Sequence, residues 1–133
     1  MRLQNKIAII TGAGSGIGQS IALSFIKEGA KVIVADWIDE GGKETVEQIK
    51  KEGGEAVFVK TDVSKKVDIE QMVKICLANF GRVDILVNNA GIYKSGSLHE
   101  ISEEDWDAVL NVNLKSVFLG SARVIPEMLK QGK

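Results

Sequence analysis

The sequence predicts an α/β protein built on a doubly wound parallel sheet, and two observations carry this prediction. Four short apolar segments alternate along the chain with four segments of helical periodicity, in the order β-α-β-α-β-α-β-α. The first apolar segment runs directly into a glycine-rich turn at residues 12–18. Strands that alternate with helices favour a parallel sheet, because parallel strands need crossover connections. Right-handed crossovers then predict the strand order 3-2-1-4, with a crevice between strands 1 and 4 where the winding reverses.

The first two strand–helix units follow from apolar spacing. A buried strand is predicted at residues 6–11, because this short apolar run ends in the glycine-rich turn. The next helix ends at Gly29, a residue type that favours a left-handed cap. Its inner face is predicted from three- and four-residue spacing to carry Ile17, Ile21, Ala22 and Phe25. Residues 31–36 form the second strand, and residues 39–52 form a mostly polar helix.

The second half of the chain repeats the alternation. Ser102 precedes three acidic residues, a pattern typical of a helix N-cap with acids in the first turn. Gly81 is expected to end the helix before the fourth strand. The elements predicted here are a strand at residues 55–61, an amphipathic helix at 67–80, a strand at 83–87, a loop at 88–101 and a long helix from 103 towards 130.

Composition limits the class of protein. The 133 residues suit one domain, with 44% hydrophobic and 26% charged residues. The net charge of −1 gives no basic excess of the kind that nucleic-acid binding needs. No apolar run approaches the ~20 residues of a membrane span. The single cysteine, Cys76, cannot form an internal disulfide, which favours a reducing, cytoplasmic setting. It is expected in the core, the one histidine, His99, is expected at the surface, and no metal-ligand spacing is present.

The glycine-rich turn has the features that a pyrophosphate site requires. Such a turn must bend sharply, expose backbone N–H groups and open a helix whose positive end faces the phosphates. Gly12 permits the bend, Gly16 leaves the phosphate path free of a Cβ, and Gly18 lets the helix pack closely. Many loops contain glycines, but here the turn follows a strand and opens a helix, which is the expected context.

Three positions favour NAD over NADP. Asp36 ends the second strand, 24 residues after Gly12, where a carboxylate accepts hydrogen bonds from the adenosine ribose. The same carboxylate would repel a 2′-phosphate, and neither Trp37 nor Ser15 is basic. The alternative for Asp36 is that it only caps the next helix. Trp37 and Trp106 are interpreted as packing residues, with contact to the adenine as a second interpretation of Trp37.

Asp62 and Val63 follow the third strand at the same edge of the sheet. The Asp62 side chain could accept a hydrogen bond from an adenine amino group, and the Val63 backbone N–H could donate to the ring. The alternative is that Asp62 serves only to form the turn.

Together these motifs resemble the short-chain dehydrogenase/reductase family, over the whole chain and in the family's order. The matching segments are residues 11–18, Asp36, residues 62–63, the Asn-Asn-Ala-Gly sequence at 88–91 and the Val-Asn-Leu sequence at 112–114. The resemblance implies a Rossmann-type fold, seen here as its N-terminal, cofactor-binding half. It implies that residues 88–91 stabilise the sheet and line the crevice near the ribose. It also implies that Asn113, and not the nearby Asn111, supports a proton-relay water through its backbone carbonyl.

The resemblance also implies catalytic residues that this sequence does not contain. The family uses a Ser and a Tyr with a Lys four residues later, whereas the single tyrosine, Tyr93, has Ser97 at that position. The missing residues and the later strands are expected beyond residue 133, so the chain alone is expected to be inactive. Tyr93 is expected to touch substrate or solvent. The residues expected to bind NAD are Gly12, Ser15, Gly16, Ile17, Gly18, Asp36, Trp37, Asp62, Val63, Asn89, Ala90 and Gly91.

The leading hypothesis is therefore an NAD-dependent oxidoreductase that transfers a hydride between the nicotinamide and a secondary alcohol or ketone. A small-molecule substrate and a homo-oligomer are expected for the full chain, with no nucleic-acid or membrane partner. One alternative is a non-catalytic NAD-binding module. Another is an S-adenosylmethionine methyltransferase, which shares a glycine-rich turn and an acid at strand 2 but leaves residues 88–91 unexplained.

Overall fold

The computed structural model describes residues 1–132, and its strand order is the predicted one. The four strands form a single sheet in the order β3-β2-β1-β4, and every neighbouring pair is parallel. The elements in chain order are β1 (Ile7–Thr11), α1 (Gly16–Lys27), β2 (Lys31–Asp36), α2 (Asp39–Lys51), β3 (Ala56–Lys60), α3 (Lys66–Phe80), β4 (Ile85–Val87), α4 (Glu103–Leu110), a π-helical segment (Asn111–Lys115) and α5 (Ser116–Lys130).

The sheet is covered on both faces, as a parallel sheet requires. In β1 Ile9 pairs with Ile33 of β2 and with Leu86 of β4, so the three strands end at the same edge. One face packs against α1 and α2 through a cluster that includes Ala22 and Ile49. The opposite face packs against α3 and α5. The helix that follows β1 covers one face of the sheet and the helix that follows β4 covers the other, so a crevice can open between the ends of these two strands.

Strand β4 is shorter than predicted, because the residues before it have other partners. The Gln131 side chain, beyond the end of α5, accepts from the Val83 backbone nitrogen at 3.1 Å and donates to the Val83 carbonyl at 2.8 Å. Asp84 is buried, pairs with Arg82 and accepts from the Ile7 backbone nitrogen at 2.9 Å. These contacts, together with the Asp84 backbone nitrogen donating to the Ile7 carbonyl at 2.9 Å, fix the chain ahead of β4 beside β1.

The predicted inner face of α1 is partly wrong. Ile17 is 75% exposed, whereas Gly18, Ala22 and Ile26 are buried. Ile17 lies in the first helical turn, at the edge of the sheet and not over it, so its side chain borders open space. The packing interpretation of the two tryptophans is also wrong, since Trp37 and Trp106 are both more than half exposed.

The long helix predicted from residue 103 is continuous, but it contains a π-helical segment that the sequence did not predict. The Ser116 hydroxyl donates to the Val112 carbonyl within this region. Side-chain periodicity reports which face is apolar and does not register one widened turn. Several apolar side chains of the helix remain exposed, namely Trp106, Leu110, Leu114, Val117, Phe118, Ile125 and Leu129.

The same helix, Glu103–Lys130, differs from the expectation that no segment could span a membrane. Its 28 residues and a mean hydropathy of 1.2 over its most apolar part meet the length and composition of a membrane-crossing helix. Core helices of soluble proteins meet the same criteria, so this is weak evidence of a membrane location.

Cys76 and His99 lie where the sequence predicted. Cys76 is fully buried and donates to the Arg82 carbonyl at 3.4 Å. Burial, with a smaller contribution from the Asp84 charge, raises the pKa of the Cys76 thiol to about 12. The His99 side chain is 83% exposed.

Candidate functional site

A crevice of about 380 Å³ lies at the carboxyl edge of the sheet, within the usual size range of small-molecule sites. It opens where the strand order reverses, between the ends of β1 and β4, and extends towards the ends of β2 and β3. Every residue predicted to bind NAD lines it except Gly18, and Asn88, which was also expected to line it, instead bonds to the Ser121 hydroxyl at 3.4 Å. The full lining is Gly12, Ser15, Gly16, Ile17, Asp36, Trp37, Ile38, Thr61, Asp62, Val63, Ser64, Asn89, Ala90, Gly91, Ile92 and Val112.

Two glycines of the turn are required by close approach of the backbone. Gly12 has a φ of +65°, and a Cβ there would lie 2.9 Å from the Ala90 Cα. A Cβ on Gly18 would lie 2.1 Å from the Gly12 carbonyl oxygen and 2.5 Å from Asn89 Nδ2. Gly18 therefore stands behind the crevice and permits the turn to fold onto α1, which agrees with the packing role predicted for it.

The amino end of α1 faces the crevice without a side-chain cap. Ser15 is the N-cap residue, and its side chain makes no capping hydrogen bond. A Cβ built on Gly16 would meet nothing within 4 Å, so open space adjoins the first helical turn. Backbone N–H groups at an uncapped helix start, beside open space, suit a bound anion such as a pyrophosphate.

Asp36 is 7% exposed, and both of its carboxylate oxygens accept from the backbone. Oδ2 accepts from the Gly14 nitrogen at 2.9 Å, and Oδ1 accepts from the Ile38 nitrogen at 3.0 Å. Ile38 is the N-cap residue of α2, so the capping interpretation describes one of these contacts. Each carboxylate oxygen keeps acceptor capacity towards the crevice, so capping and ribose binding are compatible.

The Gly14 contact is a feature that the sequence interpretation missed. A Cβ on Gly14 would lie 2.8 Å from Asp36 Oδ2 and 2.9 Å from the Gly42 nitrogen. Only a glycine fits between the acid and the start of α2. The signal available in the sequence was the Gly41-Gly42 pair in a helix, which indicates a close approach of backbone.

Thr11 joins the ends of β1 and β4. Its hydroxyl oxygen accepts from the backbone nitrogens of Asn89 and Ala90, both at 3.0 Å, and the hydroxyl donates to the Val87 carbonyl at 3.3 Å. Asn89 Nδ2 donates to the Thr11 carbonyl at 3.0 Å and to the Gly12 carbonyl at 3.3 Å. These bonds hold two walls of the crevice in one register.

Asp62 carries turn contacts of its own. Asp62 Oδ1 accepts from the Ser64 nitrogen at 3.0 Å and from the Ser64 hydroxyl at 2.6 Å. The Asp62 nitrogen donates to Asp68 Oδ2 at 2.9 Å, which fixes the start of α3. The turn-forming interpretation therefore describes real contacts, while Asp62 Oδ2, 3.9 Å from Lys65 Nζ, retains room for another donor.

Asn113 lies in the π-helical segment, and its side chain holds the loop that follows β4. Oδ1 accepts from the Ile92 nitrogen at 2.8 Å, and Nδ2 donates to the Ile92 carbonyl at 2.9 Å. The neighbouring Val112 lines the crevice. The Asn113 side chain thus bonds to both the N–H and the carbonyl of Ile92, as a neighbouring strand would. The sequence did not predict this contact.

Other candidates stay outside the crevice. Tyr93 is 85% exposed and does not line it. Among residues 1–132, no group of three or more His, Cys, Asp or Glu side chains is placed to hold a metal ion. The lining residues that the sequence interpretation did not propose for cofactor binding are Ile38, Thr61, Ser64, Ile92 and Val112, the last of which it used only as part of the 112–114 motif.

Fold and crevice together define a doubly wound α/β protein with an open crevice at its switch point. A sequence model described as short chain dehydrogenase matches residues 6–133. The chain belongs to this family of oxidoreductases.

Relatives and solved structures agree with that assignment. An uncharacterized oxidoreductase of Thermotoga maritima is 53% identical over 99% of this chain and 52% of its own length. The 3-oxoacyl-(acyl-carrier-protein) reductase FabG of the same organism is 43% identical over 98% of this chain and 53% of its own length. A short-chain dehydrogenase/reductase of Burkholderia phymatum, solved in complex with NAD, superposes with a TM-score of 0.95 at 38% identity, covering 100% of this chain and 47% of that structure. The chain thus spans about half the length of its relatives.

Proposed function

We propose that this chain is the NAD-binding half of an oxidoreductase that transfers a hydride between nicotinamide and a secondary alcohol or ketone. The observation that carries the proposal is the placement of Asp36 and the uncapped start of α1 on one crevice. The helix start suits the pyrophosphate, and the acid suits the adenosine ribose.

The preference for NAD over NADP rests on charge. Asp36 is buried, so its carboxylate interacts with a 2′-phosphate through a medium of lower dielectric than water. Neither Trp37 nor Ser15, which line the same part of the crevice, supplies a positive charge. The Burkholderia phymatum relative was solved with NAD, which supports the same cofactor here.

The remaining residues of the crevice would orient the dinucleotide. Residues 89–91 would lie along the nicotinamide ribose, and Trp37 would flank the adenine with Asp62 and Val63 at its edge. NAD, when bound, supplies the hydride acceptor for alcohol oxidation. The backbone carbonyl of Asn113 would hold a water for proton transfer, while its side chain keeps the loop at Ile92 in place.

The chain alone is proposed to bind NAD without turning over substrate. Proton transfer to or from a ketone oxygen needs a positioned acid or base. The single tyrosine is exposed in a loop and has no lysine four residues later. A cytoplasmic location and a homo-oligomer of the full-length protein complete the proposal.

Calorimetric titration of the purified protein with NAD and with NADP tests the proposed function. One site for NAD and at least tenfold weaker binding of NADP are expected, since about 1.4 kcal/mol corresponds to a factor of ten. Equal or tighter binding of NADP would contradict it. Incubation with NAD and a panel of secondary alcohols should yield no NADH, and turnover would refute the claim of catalytic incompleteness.

The second candidate function is a non-catalytic NAD-binding module. The crevice would hold NAD in the same way in such a module, so cofactor binding alone does not distinguish the two functions. The coding DNA downstream distinguishes the two, because a Ser followed by that pattern supports the enzyme and an immediate stop codon supports the module.

A further inference from the structure

A buried hydroxyl outside the crevice is bonded to the glycine-rich turn. Thr45 of α2 is 0% exposed and does not line the crevice. Its Oγ1 lies 3.0 Å from the Ala13 carbonyl oxygen, 3.0 Å from the Gly41 carbonyl oxygen and 3.0 Å from Gln19 Nε2. One side chain therefore touches the turn, the start of α2 and the first helix.

The single hydroxyl proton decides how these contacts are used. Gln19 can only donate through Nε2, so Thr45 accepts that bond and has one proton left for a carbonyl. The Gly41 carbonyl lies inside α2, where a backbone N–H four residues later serves it. The Ala13 carbonyl lies between β1 and α1, where it takes part in neither the sheet nor the helical hydrogen bonds. Thr45 therefore supplies its hydrogen bond.

The Ala13 carbonyl and the Gly14 N–H belong to the same peptide unit. Because a trans peptide is planar, these two groups point in opposite directions. Thr45 binds the carbonyl side, and Asp36 Oδ2 accepts from the N–H side at 2.9 Å. The orientation of this one peptide is thus fixed between a buried hydroxyl and the acid proposed to bind the ribose.

The start of α2 also packs against the next peptide of the turn, Gly14–Ser15. A Cβ on Gly41 would lie 2.6 Å from the Gly14 carbonyl oxygen, so α2 rests directly on the turn. Loss of the Thr45 hydroxyl would leave the Ala13 carbonyl and the Gln19 amide to find other partners. The peptide would then tilt, and the Asp36 carboxylate would follow its donor.

From this geometry we infer that Thr45 is a positioning residue for the dinucleotide site, acting on the Ala13–Gly14 peptide and through it on Asp36. The inference rests on the proposed function, since it concerns how the same crevice holds NAD. It differs from a purely structural role, because it ties a residue that never touches the ligand to the ratio of NAD and NADP affinities.

The test compares Thr45→Val, which keeps the shape and removes the hydroxyl, with Thr45→Ser, which keeps the hydroxyl. Thr45→Val is expected to raise the Kd for NAD roughly fivefold to tenfold, as loss of one buried hydrogen bond implies. Thr45→Val should also reduce the difference in affinity between NAD and NADP. Thr45→Ser should bind both as the wild type does. Val46→Ala alters a buried neighbour on α2 and is the control for general destabilisation. It should change neither the Kd for NAD nor the ratio of the NAD and NADP affinities.

A ligand-free readout separates this inference from the proposed function. Hydrogen exchange of the Gly14 amide should be faster in Thr45→Val than in the wild type, Thr45→Ser and Val46→Ala. If Thr45→Val fails to fold, Gln19→Ala serves in its place, because it removes the donor to the Thr45 hydroxyl. A smaller rise in the Kd for NAD and a smaller acceleration of Gly14 exchange are then expected. Unchanged Gly14 exchange and an unchanged NAD to NADP ratio would overturn the inference while NAD binding stands. A wild type that binds no NAD would overturn the proposed function and the inference with it.

Discussion

The backbone nitrogen of Gly14 lies 2.9 Å from Oδ2 of Asp36, so the glycine-rich turn and the end of β2 share a buried hydrogen bond. The acid proposed to bind the ribose is therefore also part of the scaffold that shapes the pyrophosphate site. A change at Asp36 should affect stability and nucleotide affinity together.

Asp36→Asn tests this double role. The amide has one acceptor oxygen where the carboxylate has two, so Gly14 or Ile38 loses its partner, at a cost of about 1–3 kcal/mol. Urea denaturation should show that loss, and titration should show NAD binding weakened by roughly tenfold or more with less discrimination against NADP. Asp39→Asn is the matched control, since its exposed pair with Lys60 contributes at most about 1 kcal/mol. Wild-type stability and affinity in Asp36→Asn would contradict the double role.

Gly18→Ala should remove NAD binding through steric overlap. The new Cβ would lie 2.1 Å from the Gly12 carbonyl oxygen, so the turn must shift away from α1. Overpacking of this kind costs roughly 1–3 kcal/mol. Gly53→Ala is the control: its φ is +80° and a Cβ there meets nothing within 4 Å, so strain of about 1–2 kcal/mol should leave NAD affinity unchanged. Equal NAD affinity in the two variants would refute the close approach.

Trp37 should report nucleotide binding by fluorescence. Its side chain is 62% exposed and lines the crevice, so a bound adenine would cover it and quench its emission. The quench should persist in Trp106→Phe and vanish in Trp37→Phe. Persistence of the signal in Trp37→Phe would place the ligand elsewhere.

Asn113→Ala should loosen the loop that follows β4. Both polar atoms of the side chain bond to the Ile92 backbone, so amide hydrogen exchange around residues 91–93 should accelerate. Asn111→Ala, in the same π-helical segment, is the matched control and should leave that exchange unchanged. Identical exchange in the two variants would exclude this anchoring role.

Cys76 should make stability depend on alkaline pH. Its pKa is raised to about 12 in the folded state, so the thiol stays protonated there while the unfolded thiol ionises near pH 8.5. The stabilising contribution is complete below about pH 8.5 and is lost as the pH rises towards 12, by up to about 1.4 kcal/mol per pH unit. Denaturation at pH 8 and pH 10 should show a smaller pH effect in Cys76→Ala. Rapid labelling of the native thiol at pH 8 would contradict its burial.

Alternation of strands and helices, together with the glycine-rich turn after the first strand, predicted the sheet order and the location of the crevice. Right-handed crossovers restrict the sheet to a few doubly wound orders, and a glycine-rich turn at this position is typical of the one observed. Element boundaries agreed with the prediction or differed from it by one or two residues. At β4 the difference has a physical cause in Gln131, a side chain 48 residues away from Val83.

Features set by single contacts could not be predicted in this way. Periodicity assigned Ile17 to the inner face of α1, although its position at the edge of the sheet leaves it exposed. The two tryptophans were interpreted as packing residues, although both side chains are more than half exposed. The π-helical segment around Asn113 changes no hydrophobic pattern and so left no signal in the sequence.

The contacts beneath the crevice join residues far apart in the sequence, so no local pattern predicts them. Thr45 stands next to Val46 on the inner face of α2, and a polar residue on a buried face was the one available sign of its role. Its partner Ala13 belongs to the glycine-rich turn, and no sequence pattern there marks the Ala13 carbonyl as an acceptor for a hydroxyl of α2. The binding roles of the crevice residues stay predictions.

A crystal structure of the protein with NAD bound tests the central claim most directly. We expect pyrophosphate oxygens within hydrogen-bond distance of backbone nitrogens at the start of α1, and both adenosine ribose hydroxyls on the Asp36 carboxylate. A dinucleotide bound outside the crevice, or one whose ribose does not contact Asp36, would contradict the proposed function.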